Sequence, residues 1–202
     1  MQRSIVKLMS LIILNILSAN AIAKSDQLEL GIPVIGGNGC SKNSSSVQLN
    51  NNKDVIQIRF SDYFVIADEQ RFLDRKSCNL AIPLHIPEGY SVAVVEANYH
   101  GFLSLPENST LDLNTEYFFV GEESAKLSRQ VTGEAFGDFQ LTDAVLMENE
   151  IWSKCGEDTI MRVNTSMLLK NKKSNELAIA IIDSADINSG ILYQIKMRKC
   201  HK

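Results

Sequence analysis

The 202-residue chain is poor in the residue types that most often carry chemistry, with three histidines, four cysteines and one tryptophan. No histidine sits in H-E-x-x-H, and no G-x-S-x-G elbow presents a serine. No cysteine pair has zinc-ligand spacing, and only Cys200-His201 sets a cysteine beside a histidine. A zinc protease, an elbow-type serine hydrolase and a zinc-stapled fold are therefore excluded. Charged residues at 22% and hydrophobic residues at 45% leave no room for a disordered, collagen-like or coiled-coil chain. Positive charge is also lacking, with 20 Lys+Arg against 24 Asp+Glu. Without Arg3 and Lys7, which fall in a removable leader, 18 basic side chains face 24 acidic ones, a net charge of −6. Such a domain is no partner for nucleic acid.

What is present begins with that leader. A short basic region, Met1 to Lys7, precedes a brief apolar run from Leu8 to Leu17 that Ser10 and Asn15 interrupt. Ala21-Ile22-Ala23 supplies a small-x-small cleavage site. The pattern predicts a signal peptide over 1–23, cleavage after Ala23, and secretion to an extracellular or periplasmic space. No later stretch reaches the roughly 20 apolar residues of a membrane span, so none is expected in the mature chain. Export makes the even cysteine count meaningful, because an oxidising space favours two disulfides. Cys40, Cys78, Cys155 and Cys200 allow three pairings, and spacing does not choose among them. One staple per half of the chain, Cys40–Cys78 and Cys155–Cys200, is the preferred arrangement. Paired cysteines rule out a thiol nucleophile.

The dominant period is two. Ile56, Ile58 and Phe60 alternate with Gln57 and Arg59, and Leu80, Ile82, Leu84 and Ile86 alternate with Asn79, Ala81, Pro83 and His85. The same holds for Met161, Val163, Thr165, Met167 and Leu169, and for Ile191, Tyr193, Ile195 and Met197. Helical spacing would bury Arg59, Asn164 and Lys196, whereas strands give each segment one core face and one wet face. The run from Leu177 to Ile182 is apolar on both faces and suits a central strand. Pro83 cannot donate to a ladder, which implies an edge strand or a bulge. Turn chemistry separates the segments, as at Asn50-Asn51-Asn52 and Pro87-Glu88-Gly89. The expectation is an all-β fold, an antiparallel β-sandwich or barrel-like sandwich of about nine to eleven strands. An irregular segment over 24–46 would precede a single domain over 47–202.

Candidate site residues are few. Gly36-Gly37-Asn38-Gly39 lacks the lysine and helix of a phosphate loop and reads as a flexible loop. Asp183, Asp186 and Asp143 offer oxygen to calcium only if the fold gathers them, and a self-capping turn is the commoner use of such a cluster. His85 lies on the polar face of its strand. Lys170, Lys172 and Lys173 share one solubilising turn. Tyr99, His100, Phe102 and Tyr117 form an aromatic group beside a glycine, the first place to expect a carbohydrate or protein contact.

Several motifs then fall in a familiar order: Gly39-Cys40, Ser77-Cys78, Ile86-Pro87-Glu88-Gly89-Tyr90, Tyr99-His100-Gly101-Phe102 and Tyr117-Phe118-Phe119-Val120-Gly121. Trp152-Ser153-Lys154-Cys155-Gly156, Asp183-Ser184-Ala185-Asp186 and Met197-Arg198-Lys199-Cys200 complete the series. Over about residues 36–200 the chain resembles the exported family called domain of unknown function 4360, found in bacteria and fungi. The resemblance implies export, a compact β fold and paired cysteines, and it hands down no catalytic residue. His100 replaces the arginine that family shows between Tyr and Gly, Lys154 replaces a proline, and Met197 an aromatic.

No catalytic, cofactor-binding or metal-ligating residue is assigned, and no cofactor is expected. The sequence favours a non-catalytic binding protein or a surface or matrix component. The alternative is a secreted hydrolase acting on polysaccharide or peptide through an Asp/Glu pair assembled by the fold.

Overall fold

The computed structural model describes residues 26–144, 150–172, 176–182 and 190–200. The leader over 1–23, the Asp183–Asp186 cluster, Lys173 and His201 lie outside the described residues.

Thirteen strands run through the described chain. In chain order the first seven are β1 (Glu29–Leu30), β2 (Val34–Gly36), β3 (Ser45–Leu49), β4 (Val55–Phe60), β5 (Phe64–Ala67), β6 (Leu73–His85) and β7 (Tyr90–Leu105). The others are β8 (Ser109–Phe119), β9 (Ser124–Thr132), β10 (Ala135–Ala144), β11 (Thr159–Asn171), β12 (Ala178–Ile181) and β13 (Gly190–Lys199). They form two antiparallel sheets packed as a sandwich. In the first, β1 and β2 lie along one edge of β6, followed by β11, β8 and β9. In the second, β3, β4, β13, β7 and β10 are successive neighbours, while β12 pairs with β7 beyond the end of β13 and with β5 on its far side.

The period-two segments fold as their alternation requires. In β4, β6 and β11 the apolar members Ile56, Ile58, Phe60, Leu80, Ile82, Leu84, Met161, Val163, Met167 and Leu169 are buried between the sheets. Their partners Gln57, Arg59, Asn79 and Asn164 stay at least partly in solvent. The strand β12 is central, with β7 on one side and β5 on the other. Met197 departs from its expected core position and is 41% exposed. The strand β4 begins at Val55, opposite Gln194, and Asp54 accepts the Ile195 N–H, so the residues of β13 after Ile195 have no strand beside them there.

The strand count exceeds nine to eleven because the segment over 24–46 is not irregular. It carries β1, β2 and the start of β3. Strands of two and three residues leave no periodic trace in a sequence, and they exist here because β6 offers them an open edge. Gly37 (φ 140°) belongs to this docking, since a Cβ there would collide with the Ser77 carbonyl of β6. Gly39 donates its N–H to the same carbonyl at 2.9 Å. The glycine cluster is thus a close approach and not a flexible loop.

Pro83 lies in a strand paired on both sides, correcting the expectation of an edge. Its missing N–H faces the break between β1 and β2, where Gly31 donates to the Pro83 carbonyl at 2.9 Å. A residue's N–H and C=O point to the same side of an antiparallel strand, so the interruption removes the acceptor the proline cannot use.

Two disulfides fasten outlying segments to the sandwich. Cys40–Cys78 joins the chain after β2 to the core face of β6, and Cys155–Cys200 joins the segment before β11 to the end of β13. That second segment also covers β7. Ser153 donates its N–H to the Val92 carbonyl at 2.8 Å, and Trp152 bridges to Ala93. The Arg198 guanidinium lies 3.7 Å from the centroid of the Trp152 ring, a cation–π contact. Each disulfide closes a loop of about 40 residues and is expected to stabilise the fold by about 4 kcal/mol. The double variant Cys40→Ala with Cys78→Ala should lose most of that amount in denaturant unfolding while keeping its β-rich circular dichroism. A loss well under about 1 kcal/mol would show that the packing of Gly37 and Gly39 alone fixes the segment.

Candidate functional site

The solvent face of the first sheet holds an ordered polar surface built by register. Asn79 of β6 lies opposite Asn164 of β11, which lies opposite Glu116 of β8, which lies opposite Lys126 of β9. One step along the ladder, Ser77, Ser166, Asn114 and Ser128 make a second row. Directly opposite residues share a face, so two four-residue rows of amides, hydroxyls and charges stand side by side. They line an open depression of about 430 Å³ together with Arg75.

The side chains hold one another in place. Asn164 donates Nδ2–H to Glu116 Oε2 at 3.3 Å, and Lys126 Nζ lies 3.4 Å from Glu116 Oε1. Ser128 donates its hydroxyl to Asn114 Oδ1 at 2.7 Å. The end of the depression is fixed from the disulfide side, where Asn38 Oδ1 accepts the Ser77 N–H at 2.7 Å. Hydrogen bonds from Ser124 and Asn164, with the Lys126 ammonium, hold the Glu116 carboxyl below its ordinary value. Glu116 is therefore a fixed acceptor, charged throughout the neutral range.

Beside these rows the same face turns apolar. Phe118 of β8 is paired with Arg162, and Ile160 and Val120 follow one step further. On the other flank, Val34 pairs with Ala81, and the exposed Ile32 lies in the break between β1 and β2. Ile32, Val34, Val120 and Ile160 are four of the nine large exposed apolar side chains among the described residues. An apolar strip thus borders a polar groove.

The four aromatic-group residues are not brought together. Tyr99 is fully buried and Tyr117 nearly so, their rings in the core with Tyr193. His100 and Phe102 point away from them, on the outer face of the second sheet, where Phe102 packs edge-on against the exposed Phe136 at 5.4 Å. Adjacent residues of a strand face opposite ways, and the expected exposure of Tyr99 and Tyr117 gives way for that reason. The groove was missed because it takes its residues singly or in pairs from four strands. Its one trace in the sequence is the polar phase of β6 and β11.

Other sequence-derived candidates are dispersed. His85 Nδ1 lies 2.8 Å from Asp158 Oδ2, whose other oxygen accepts the Ile86 N–H. Lys170 pairs with Asp112 at 3.2 Å. Asp143 sits on β10 opposite Ala97, while its proposed calcium partners fall outside the described residues.

Fold and face together define a disulfide-stapled, two-sheet β-sandwich with an open polar groove. The chain belongs to the family described as "Domain of unknown function (DUF4360)", which it matches over residues 27–200. An uncharacterized secreted protein of Arthroderma benhamiae is 25% identical over 168 residues, 82% of this chain and 69% of that protein. Among solved structures, TmCBM61 in complex with beta-1,4-galactotriose is similar over 83% of this chain and 88% of its own, at 10% identity and a TM-score of 0.31. That likeness is too slight to bear on function. The chain is a secreted protein, a location its two disulfides suit. No described helix is long and apolar enough to cross a membrane.

The buried tyrosines give a measurable signature. Burial pushes Tyr99 up to about 12 and raises Tyr63, Tyr117 and Tyr193 as well. The folded values lie above the unfolded one of about 10, so this stabilisation is complete below pH 10 and is lost as pH rises through the folded values. In a titration at 295 nm, four of the five tyrosines should stay silent until the protein unfolds. A phenolate signal larger than one ring's while the β signal is intact would contradict the burial of this cluster.

Proposed function

We propose that this chain is a non-catalytic, secreted glycan-binding protein whose groove on the first sheet takes an extended carbohydrate chain. One observation carries the reading: two registered rows of amides, hydroxyls and a lysine–glutamate pair, bordered by an apolar strip. A sugar presents the complementary surface, with hydroxyls on its rim that both donate and accept, and apolar C–H faces on its ring. Asn79 and Asn164 supply paired donors and acceptors, Glu116 accepts, and Lys126 donates. Phe118 and Ile160 give a ring face somewhere dry to lie. The groove is open along its length, which suits a polymer more than an enclosed small molecule.

The state of Glu116 supports binding over hydrolysis. A glycosidase acid must hold its proton near neutral pH, which requires a raised pKa. Glu116 is shifted the other way, and it is the carboxyl central to the groove.

Affinity electrophoresis and calorimetry over a panel of soluble polysaccharides test the reading. Wild type should bind at least one polymer without shortening it. Glu116→Ala and Asn164→Ala should each weaken binding about tenfold or more, the loss expected of a hydrogen bond to a charged group. Phe102→Ala, on the opposite sheet, should leave binding unchanged. Binding that survives both groove variants, or release of reducing ends from the polymer, would overturn it.

A further inference from the structure

We infer that the glycan this groove takes is anionic, a polysaccharide bearing carboxylate or sulfate groups. The inference rests on the glycan reading above and adds the charge of the ligand. Four cations share the groove face: Arg75, Lys126, Arg162 and Lys170. Among the described residues, the carboxylates beside the polar rows are Glu116 and Asp112, and each already has a lysine, Lys126 at 3.4 Å and Lys170 at 3.2 Å, while Glu29 and Asp158 lie beyond Pro83 around His85. Among the described residues, Arg75 and Arg162 have no ionic partner. A chain of net charge −4 therefore concentrates two uncompensated guanidiniums on one face.

Their placement matters as much as their number. Arg162 lies opposite Ala81 and Arg75 opposite Leu168, six residues apart along the β6–β11 ladder. At about 3.3 Å per residue the two stand roughly 20 Å apart along the strands, one at each end of the polar rows. Asn164 and Ser166 occupy the path between them. A polymer lying along β11 meets a guanidinium, then amide and hydroxyl groups, then a second guanidinium. Arginine meets a carboxylate or a sulfate with two parallel hydrogen bonds between opposite charges, an attraction a neutral sugar lacks. An acidic protein gains nothing in solubility from unpaired arginines on an otherwise neutral polar face, whereas a periodic polyanion meets both.

The test sets polygalacturonate and chondroitin sulfate against neutral galactan and dextran, at low and high salt. It uses the full mature protein and the variants Arg75→Gln, Arg162→Gln and, as a control on a distant turn, Lys53→Gln. The acidic polymers should bind more tightly than the neutral ones and should weaken with salt. Each arginine variant should lose about tenfold in affinity for them, with neutral polymers and Lys53→Gln unaffected. Equal affinity for neutral and acidic polymers, or acidic binding indifferent to both arginines, would overturn this inference and leave the glycan reading standing. Acidic binding lost equally in Lys53→Gln would reduce it to non-specific charge and overturn it too. No binding to either kind of polymer would overturn both.

Discussion

The register of β6, β11 and β8 is the constraint on which both core and groove depend. In these three strands the residues facing inward and outward differ by one position, so a single-residue slip would exchange them completely. Asn164, Ser166 and Glu116 would then enter the core without partners, each at a cost of several kcal/mol. A buried polar contact marks the correct register. Thr115 donates its hydroxyl to Thr165 Oγ1 directly opposite, at 3.3 Å, and Tyr63 donates from the turn between β4 and β5 to the same oxygen at 3.4 Å. Beside Thr165 on its other flank is Cys78, covalently tied to Cys40. Hydrogen bond, ladder and disulfide thus meet along one buried row, and the polar rows outside are its mirror image.

The second sheet solves a different problem within one strand. The strand β7 buries Val92 and Val94 at one end and Ala97 and Tyr99 at the other, so the buried phase changes from even to odd numbers. The pairing with β13 shifts at the same place, from Gln194 opposite Glu96 to Ile195 opposite Val94, leaving Val95 as an extra residue. A bulge of this kind lets a sixteen-residue strand serve two stretches of core that a regular strand would not reach together. It also decides which of Tyr99 and His100 faces solvent. Ala93, outward by phase, is sealed under Trp152, which the Arg198 guanidinium covers in turn.

Much of this was legible in the sequence, and the gaps have physical causes. The alternation in β4, β6, β11 and β13 gave the fold class, because a half-buried strand writes its environment into every second residue. The bulge was not legible, since Val92-Ala93-Val94-Val95 is apolar in either phase. That ambiguity made Tyr99 look available for contact. The strands β1 and β2 escaped notice because they are specified by the free edge of β6 and not by their own composition. The groove is a property of pairing between strands far apart in the chain, from Asn79 to Asn164 and from Glu116 to Lys126. Each residue alone reads as ordinary solvated surface.

One feature of the second sheet bears on how the molecule comes into being. The strand β13 is the last in the described chain, yet it lies inside its sheet, between β4 and β7. A polypeptide threaded amino terminus first through a secretion channel has no means of finishing that sheet until β13 itself has crossed. Until then Ile56 and Ile58 on one side of the vacancy and Tyr99 on the other have no neighbour to cover them. Non-local closure of this kind is slow and leaves sticky surface exposed meanwhile. The second sheet therefore closes only when β13 slots between β4 and β7, however early its other strands arrive.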